Sequence, residues 1–278
     1  MRPLNVGDVV SAAISLFRTN FKPFVGLNLK AVLWFFVPVY GWARGLMIQA
    51  QIARLGFQEL MRQPETIAQS LEAVEPRLWP FLGIALLVWL IQAAVGYAAS
   101  FALGIVMIPI SVVGAAGEAA AALSALLMVG VQLVVFAAQL WIQARLYLWN
   151  IILAMEPETE STTAITRSWE LTQGNGIRVL FVLLVAYLVM LPLYALTLGI
   201  PVLIAIPFIG RGLVEGDGGA AAVLGIVLAL LVFIALAVLV GILTAPFFQT
   251  IKSVLYYDLR SRREGLDIQF RDRPRDSR

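Results

Sequence analysis

The side chains able to do chemistry in this chain are cations set among apolar neighbours: Lys30, Arg44, Arg54, Arg145 and Lys252. Ionisable groups in such surroundings are costly to bury and often mark ion or substrate paths. On one helix Arg44 and Arg54 would lie ~15 Å apart along the axis. Their functional reading is a cationic lining for an anion or a lipid headgroup. Their structural reading is snorkelling, each long side chain reaching the membrane surface beside Trp and Tyr anchors. Snorkelling suits Lys252 best, whereas Gln143 and Asn150 extend the polar face around Arg145. Gln132, Gln139 and Gln143 fall on one side of a helix. With Gln92 they either hydrogen-bond between helices, at roughly 0.6–2 kcal/mol each, or line a polar path.

Much other chemistry is excluded. The chain has no histidine and no cysteine, which removes His-based triads, imidazole acid–base catalysis, His-dependent haem or zinc sites, disulfides and thiolate ligands. Glu156, Glu158 and Glu160, with Glu170 nearby, have the chemistry to hold Mg²⁺ or Ca²⁺, but such a run reads more simply as a solvated loop. Gly174-Asn175-Gly176 is a turn and helix stop. No strand precedes it, so it is no dinucleotide loop, and there is no P-loop. Carboxylates, Lys, Ser and Tyr share no catalytic face. The reading is a protein with no enzymatic activity of its own, no cofactor and no metal.

The elements that must position these residues follow from composition. Hydrophobic residues make up 60% of the 278 and charged ones 13%, about half the charge of an ordinary soluble domain. Glu118 is the only charge between Arg77 and Arg145, and none lies between Arg178 and Arg211 or between Asp217 and Lys252. These runs exceed the ~20 apolar residues that cross a bilayer core. The expected fold is all-α, a polytopic transmembrane helical bundle of about six spans, roughly 23–40, 41–61, 80–103, 121–151, 177–200 and 221–250. Residues 23–61 are interrupted by Lys30, Arg44 and Arg54, so they cross twice, cross once as a bent helix, or re-enter. Pro38, Pro109, Pro192, Pro201, Pro207 and Pro246 can break or kink these spans. Gly41 and Gly45 fit the small-xxx-small contact pattern.

The spans read as three hairpin units, roughly 5–63, 64–155 and 156–258, in a single membrane domain over 1–258, followed by a basic cytoplasmic tail, 259–278. Pro23-Phe24-Val25-Gly26-Leu27 and Pro80-Phe81-Leu82-Gly83-Ile84 open two units in nearly the same words, and Arg178-Val179-Leu180-Phe181 opens the third. Short amphipathic helices precede them. Asn5 with Asp8, and Thr66 with Gln69, are capping-box pairs. Phe17, Arg18, Leu71, Arg167 and Trp169 are the candidate interfacial positions; such helices lie in the headgroup plane or pack on the hairpins as elbows.

Lys and Arg distribution sets orientation. Arg2, Arg18 and Lys22 precede the first span, Arg62 and Arg77 follow the second, Arg167 and Arg178 follow the fourth, and eight lie from residue 252 onward. The opposite side carries Arg211, Glu118, Glu215 and Asp217, with Arg44 as a further candidate. Both termini are therefore expected to be cytoplasmic. The expected partners are the lipid bilayer and a membrane protein or second copy of the chain. Arg260, Arg262 and Arg263 are candidate contacts to anionic lipid or partner. No aromatic–basic groove supports nucleic acid, and the N-terminus has no removable signal pattern.

Leu255-Tyr256-Tyr257-Asp258-Leu259-Arg260-Ser261-Arg262-Arg263-Glu264-Gly265 and Ala164-Ile165-Thr166-Arg167-Ser168-Trp169-Glu170-Leu171-Thr172-Gln173-Gly174 resemble the bacterial membrane-domain family named after glycerophosphoryl diester phosphodiesterase. Phe36-Val37-Pro38-Val39-Tyr40-Gly41-Trp42-Ala43 looks like its cyanobacterial members. The resemblance implies a bacterial inner membrane, or a thylakoid membrane. The catalytic barrel attached to some members uses histidines and a metal, so its activity does not carry over. An accessory, scaffold or assembly component is the expected role. The alternative is a transporter or channel for an anionic or lipidic solute, with Arg44, Arg54 and Arg145 facing one cavity. A lipid enzyme would require two carboxylates and a cation converging at headgroup depth.

Overall fold

In a computed structural model, residues 5–114, 117–214 and 219–264 are described, and among them the only long regular elements are helices. The tail from 265, Glu215, Asp217 and the side chain of Arg211 lie outside the described residues. In chain order the helices are α1 (Val6–Thr19), α2 (Phe21–Phe35), α3 (Tyr40–Leu60), α4 (Ile67–Val74), α5 (Leu78–Gly114), α6 (Glu118–Leu146), α7 (Trp149–Met155), α8 (Ser161–Thr172), α9 (Gly176–Val214) and α10 (Ala220–Glu264). They cluster into two compact units, Met1–Pro76 with Val182–Asp258 and Arg77–Phe181 with Leu259–Arg278.

In the first unit both capping boxes form. Asp8 Oδ2 accepts from Asn5 N at 2.9 Å, and Thr66 and Gln69 exchange bonds of 2.9 and 3.2 Å, satisfying first-turn N–H groups. Helix α1 then buries Val9, Val10, Ala13 and Leu16. The α2–α3 pair packs closely because Gly45 lies against the Phe35 ring, where a Cβ would stand 2.7 Å from a ring carbon, and Gly41 lies against the Trp34 carbonyl. Pro246 has no N–H and therefore leaves the Ile242 carbonyl of α10 without its helical donor. Asn28, fully buried on α2, supplies one, its Nδ2 lying 2.9 Å from Ile242 O and 3.1 Å from Gly241 O. Asn28 Oδ1 accepts from Gln49, and Gln49 Oε1 accepts from Gln249 at 3.0 Å. This polar string ties α2, α3 and α10 together inside an apolar core.

In the second unit α5 packs on α6, and α7 and α8 pack on each other. Arg77 holds the loop after α7, donating to the carbonyls of Leu153, Glu156, Pro157 and Thr159, the bonds to Glu156 and Thr159 being 2.9 and 2.8 Å. Some of these carbonyls would otherwise be unpaired at the end of α7.

Four helical stretches, Ile67–Pro109, Glu118–Met155, Gly176–Phe208 and Ala222–Arg263, are long and apolar enough to cross a membrane. At most 22% of the residues in their most apolar windows are buried, and Phe101, Leu126, Val134 and Leu231 are exposed on these helices, an apolar surface of the kind that meets a membrane or another protein. The segment expected as a first span is shorter than expected. Helix α2 has 15 residues, ~22 Å against a hydrocarbon core of ~30 Å. It gives way to a turn in which Tyr40 N donates to Pro38 O at 2.8 Å and Val39 takes φ 61°, a γ-turn. The expected fourth span is interrupted at Tyr147–Leu148, between α6 and α7. Prolines expected as possible breaks, Pro109, Pro192, Pro201, Pro207 and Pro246, lie inside continuous helices. Helix α10 continues into the expected tail, through Glu264.

Candidate functional site

Two arginines of the expected cationic lining, Arg44 and Arg54, pair with carboxylates of their own unit. Helix α3 presents Arg54 to the loop that follows it. Arg54 Nε donates to Glu65 Oε2 at 2.8 Å and Nη2 to Oε1 at 2.7 Å, and Gln58 Nε2 adds a third bond to Glu65 at 2.7 Å. The two charged side chains are 16% and 18% exposed, so water screens this pair far less than a surface pair. Burial alone would raise the Glu65 carboxyl, but Arg54 and Gln58 outweigh it and hold the group below its ordinary value. The loop returns through a Schellman turn: Gln63 N donates to Gln58 O, Arg62 N donates to Glu59 O, and Arg62 takes φ 56°. Arg44 pairs with Glu75 at 2.7 Å, an exposed partner. Lys30 is exposed on α2.

Arg145 is treated differently. It stands in the last turn of α6, where the helix dipole favours a cation, and it is 6% exposed. Its carbonyl accepts from Ser168 Oγ of α8 at 2.9 Å, fixing the backbone. Its guanidinium carbon lies 4.4 Å from the Trp169 ring centroid and 5.3 Å from that of Trp141. The two indoles meet edge to face, 5.4 Å apart. Gly176 opens α9 beside this group, and a Cβ there would lie 3.2 Å from Arg145 Cδ. Among the described residues no carboxylate pairs with Arg145, and its buried Nε has no hydrogen-bond partner. An unmet donor of this kind costs ~1–3 kcal/mol. The positive charge of Arg263, in the last turn of α10, also bears on Arg145. Arg263 Nη2 donates to Gln173 O at 2.9 Å, and Gln173 immediately follows α8.

The other candidates are dispersed. Gln139 Nε2 lies over Gly96 of α5, Gln143 is half-buried, and Gln132 lines an apolar groove with Leu103 and Met128. Phe17 turns inward, with ring contacts to Phe21 and Phe247 at 5.3 and 6.1 Å, while Arg18 is exposed on a shallow surface groove of α1. Leu71 is half-buried on α4. Arg167 approaches Glu156 at 3.6 Å and Glu170 at 4.0 Å, and Arg260 is half-buried. Arg262 and Arg263 are exposed. Of the acidic loop, Glu156 is engaged by Arg167 and Thr159, and the described residues hold no group of three or more potential metal ligands.

Sequence reasoning did not anticipate Glu65 as the partner of Arg54, the Asn28–Gln49–Gln249 string, or the joining of Trp169 to Arg145. One signal was available for the string, since a proline inside an apolar span leaves a carbonyl that some polar side chain must meet. Compared with known protein families, curated proteins and solved structures, the chain finds no match in any of the three.

Proposed function

We propose that this chain is an integral membrane protein of three antiparallel helix pairs that acts as a non-enzymatic accessory, scaffold or assembly component. In this reading α5, α6, α9 and α10 cross the bilayer, and α2–α3 form a shorter hairpin that returns to the side it entered. Both termini then lie on the cytoplasmic side of a bacterial inner membrane, or of the thylakoid membrane that the cyanobacterial resemblance implies. A corresponding position in each pair supports the repeat: Pro23, Pro80 and Arg178 each stand third in α2, α5 and α9, and the residue after each, Phe24, Phe81 and Val179, is buried.

The observation that carries the reading is the internal neutralisation of Arg44 and Arg54 by Glu75 and Glu65. Cations so paired hold helices and loops together and are not available to a passing anion. Reconstitution tests the reading. Liposomes containing the pure protein should release phosphate or chloride no faster than empty ones. Proteoliposomes with saturable anion release that Arg54→Gln abolishes would establish a transporter instead. For orientation, the cysteine-free chain accepts a single Asp217→Cys probe, which an impermeant maleimide should label from outside; labelling only from the cytoplasmic face reverses the topology.

A further inference from the structure

We infer that Arg145, Arg263 and the first turn of α9 form a binding site for one phosphate group, carried by a lipid headgroup or free in solution. Four observations converge within the second unit. Arg145 is 6% exposed and retains a buried Nε with no partner. Arg263 Nη2 donates to Gln173 O at 2.9 Å, three residues before α9 opens at Gly176. No described carboxylate pairs with Arg145; Glu170, the nearest acid in sequence to Trp169, is instead approached by Arg167 at 4.0 Å. Gly176 starts a 39-residue helix against the Arg145 side chain, where a built Cβ would stand 3.2 Å from Cδ and 3.8 Å from Nη1.

Each feature favours an anion. Stacking on Trp141 and Trp169 orients the guanidinium plane but supplies no negative charge. Arg145 and Arg263 both approach the start of α9, no described acid pairs with Arg145, and the oxygens of a phosphate offset that positive charge. The first N–H groups of a helix lack partners in its own ladder and bind phosphate oxygens. Arginine's planar fork matches phosphate with two parallel bonds. A carboxylate ligand would use fewer of these donors. The site rests on the membrane reading above in one respect: Trp141, Trp169 and Trp149 mark this end of α6 as headgroup level, which makes a lipid phosphate the natural source.

The test uses the full chain in detergent, titrated with dioleoyl phosphatidylglycerol and, in a parallel arm, with inorganic phosphate, with bound species counted by native mass spectrometry. The wild type should hold one lipid that Arg145→Gln loses, with at least tenfold weaker binding. Arg263→Gln should weaken binding several-fold, and Lys22→Gln, on the first unit, should change nothing. Gly176→Ala keeps both charges yet crowds Arg145 and should also weaken binding. If inorganic phosphate binds with the same Arg145 dependence and displaces the lipid, the phosphate site stands and its source is the free anion. Equal lipid and phosphate binding by wild type and by an Arg145→Gln protein of unchanged thermal stability overturns the site; if Arg145→Gln unfolds, equal binding by Gly176→Ala and Arg263→Gln overturns it instead. Alkaline carbonate extraction separates the two readings. Release of the wild type from membranes sinks the membrane reading, whereas a retained protein with Arg145-independent binding sinks only the site.

Discussion

Arg54 and Arg145 both sit on helices among apolar neighbours, and the fold handles them in opposite ways. Arg54 meets a carboxylate eleven residues on, in a bidentate pair closed by Gln58. Arg145 meets two indole faces and a glycine, and no described acid. A buried cation with its own carboxylate is complete and serves architecture. One that is oriented by aromatic rings and given no counter-charge remains able to take a ligand. The difference separates a structural arginine from a binding arginine more clearly than burial does, because both are mostly covered.

The largest break in this comparison is Glu65→Ala, which gives Arg54 the condition of Arg145 without its aromatic cover. Fully buried pairs lose ~3–5 kcal/mol when one partner is removed, and exposed ones under ~1 kcal/mol. With side chains 16% and 18% exposed, the expected loss is about 2–3 kcal/mol, read as a fall in thermal midpoint in detergent. Replacing both residues with Leu should cost less than Glu65→Ala alone. The pair also has a pH signature. Glu65 is held below its ordinary value in the folded state, so its contribution is complete above the ordinary glutamate range, near 4.3, and disappears as pH falls through the lowered folded value. Glu65→Gln should remove that acid-side loss of stability. A midpoint whose pH dependence is the same with Gln at 65 would show that the pair is not formed.

A smaller effect is expected on the other side of the comparison. Trp169→Ala removes the nearer ring, 4.4 Å from the guanidinium, together with its edge contact to Trp141. A desolvated cation–π contact contributes ~2 kcal/mol, but Trp169 is 38% exposed, so a loss of about 1–2 kcal/mol is expected. Trp169→Phe, which keeps a ring face, should recover more than half of it. Equal losses for both variants would show that the indole packs against α6 without engaging the charge.

Local physics made part of this legible in the sequence. The capping boxes at Asn5 and Thr66 need only residues three apart, and both form. The long uncharged runs gave four helices fit to cross a membrane. The expected end of the first span near 40 lies beyond α2, which stops at Phe35, because hydropathy continues through Phe36 and Val37 while the backbone turns at Pro38 and Val39. The site was less legible because its members are remote. Trp141 and Arg145 are one helical turn apart and visible as a pair, but Trp169 and Arg263 come from α8 and α10. Asn28 meets Gly241 and Ile242 across more than 200 positions, and Pro246 announces only that some donor is required.

The smallest change concerns the turn that brings Glu65 back to Arg54. Arg62 adopts φ 56° as the left-handed residue of a Schellman turn, a conformation in which a Cβ crowds the following carbonyl at ~1–2 kcal/mol. Glycine removes that crowding but gives the unfolded chain more freedom, so Arg62→Gly should stabilise by a net of about 0.5–1 kcal/mol. Arg62 is exposed, so little packing is lost. Arg62→Val should destabilise, since a β-branched side chain is least tolerated at positive φ. If the turn positions Glu65, Arg62→Gly leaves the acid-side loss of stability intact and Arg62→Val diminishes it. A glycine variant less stable than the wild type would mean that the Arg62 side chain has a role the turn does not account for, and the Arg54–Glu65 pair would then depend on more than the backbone that delivers it.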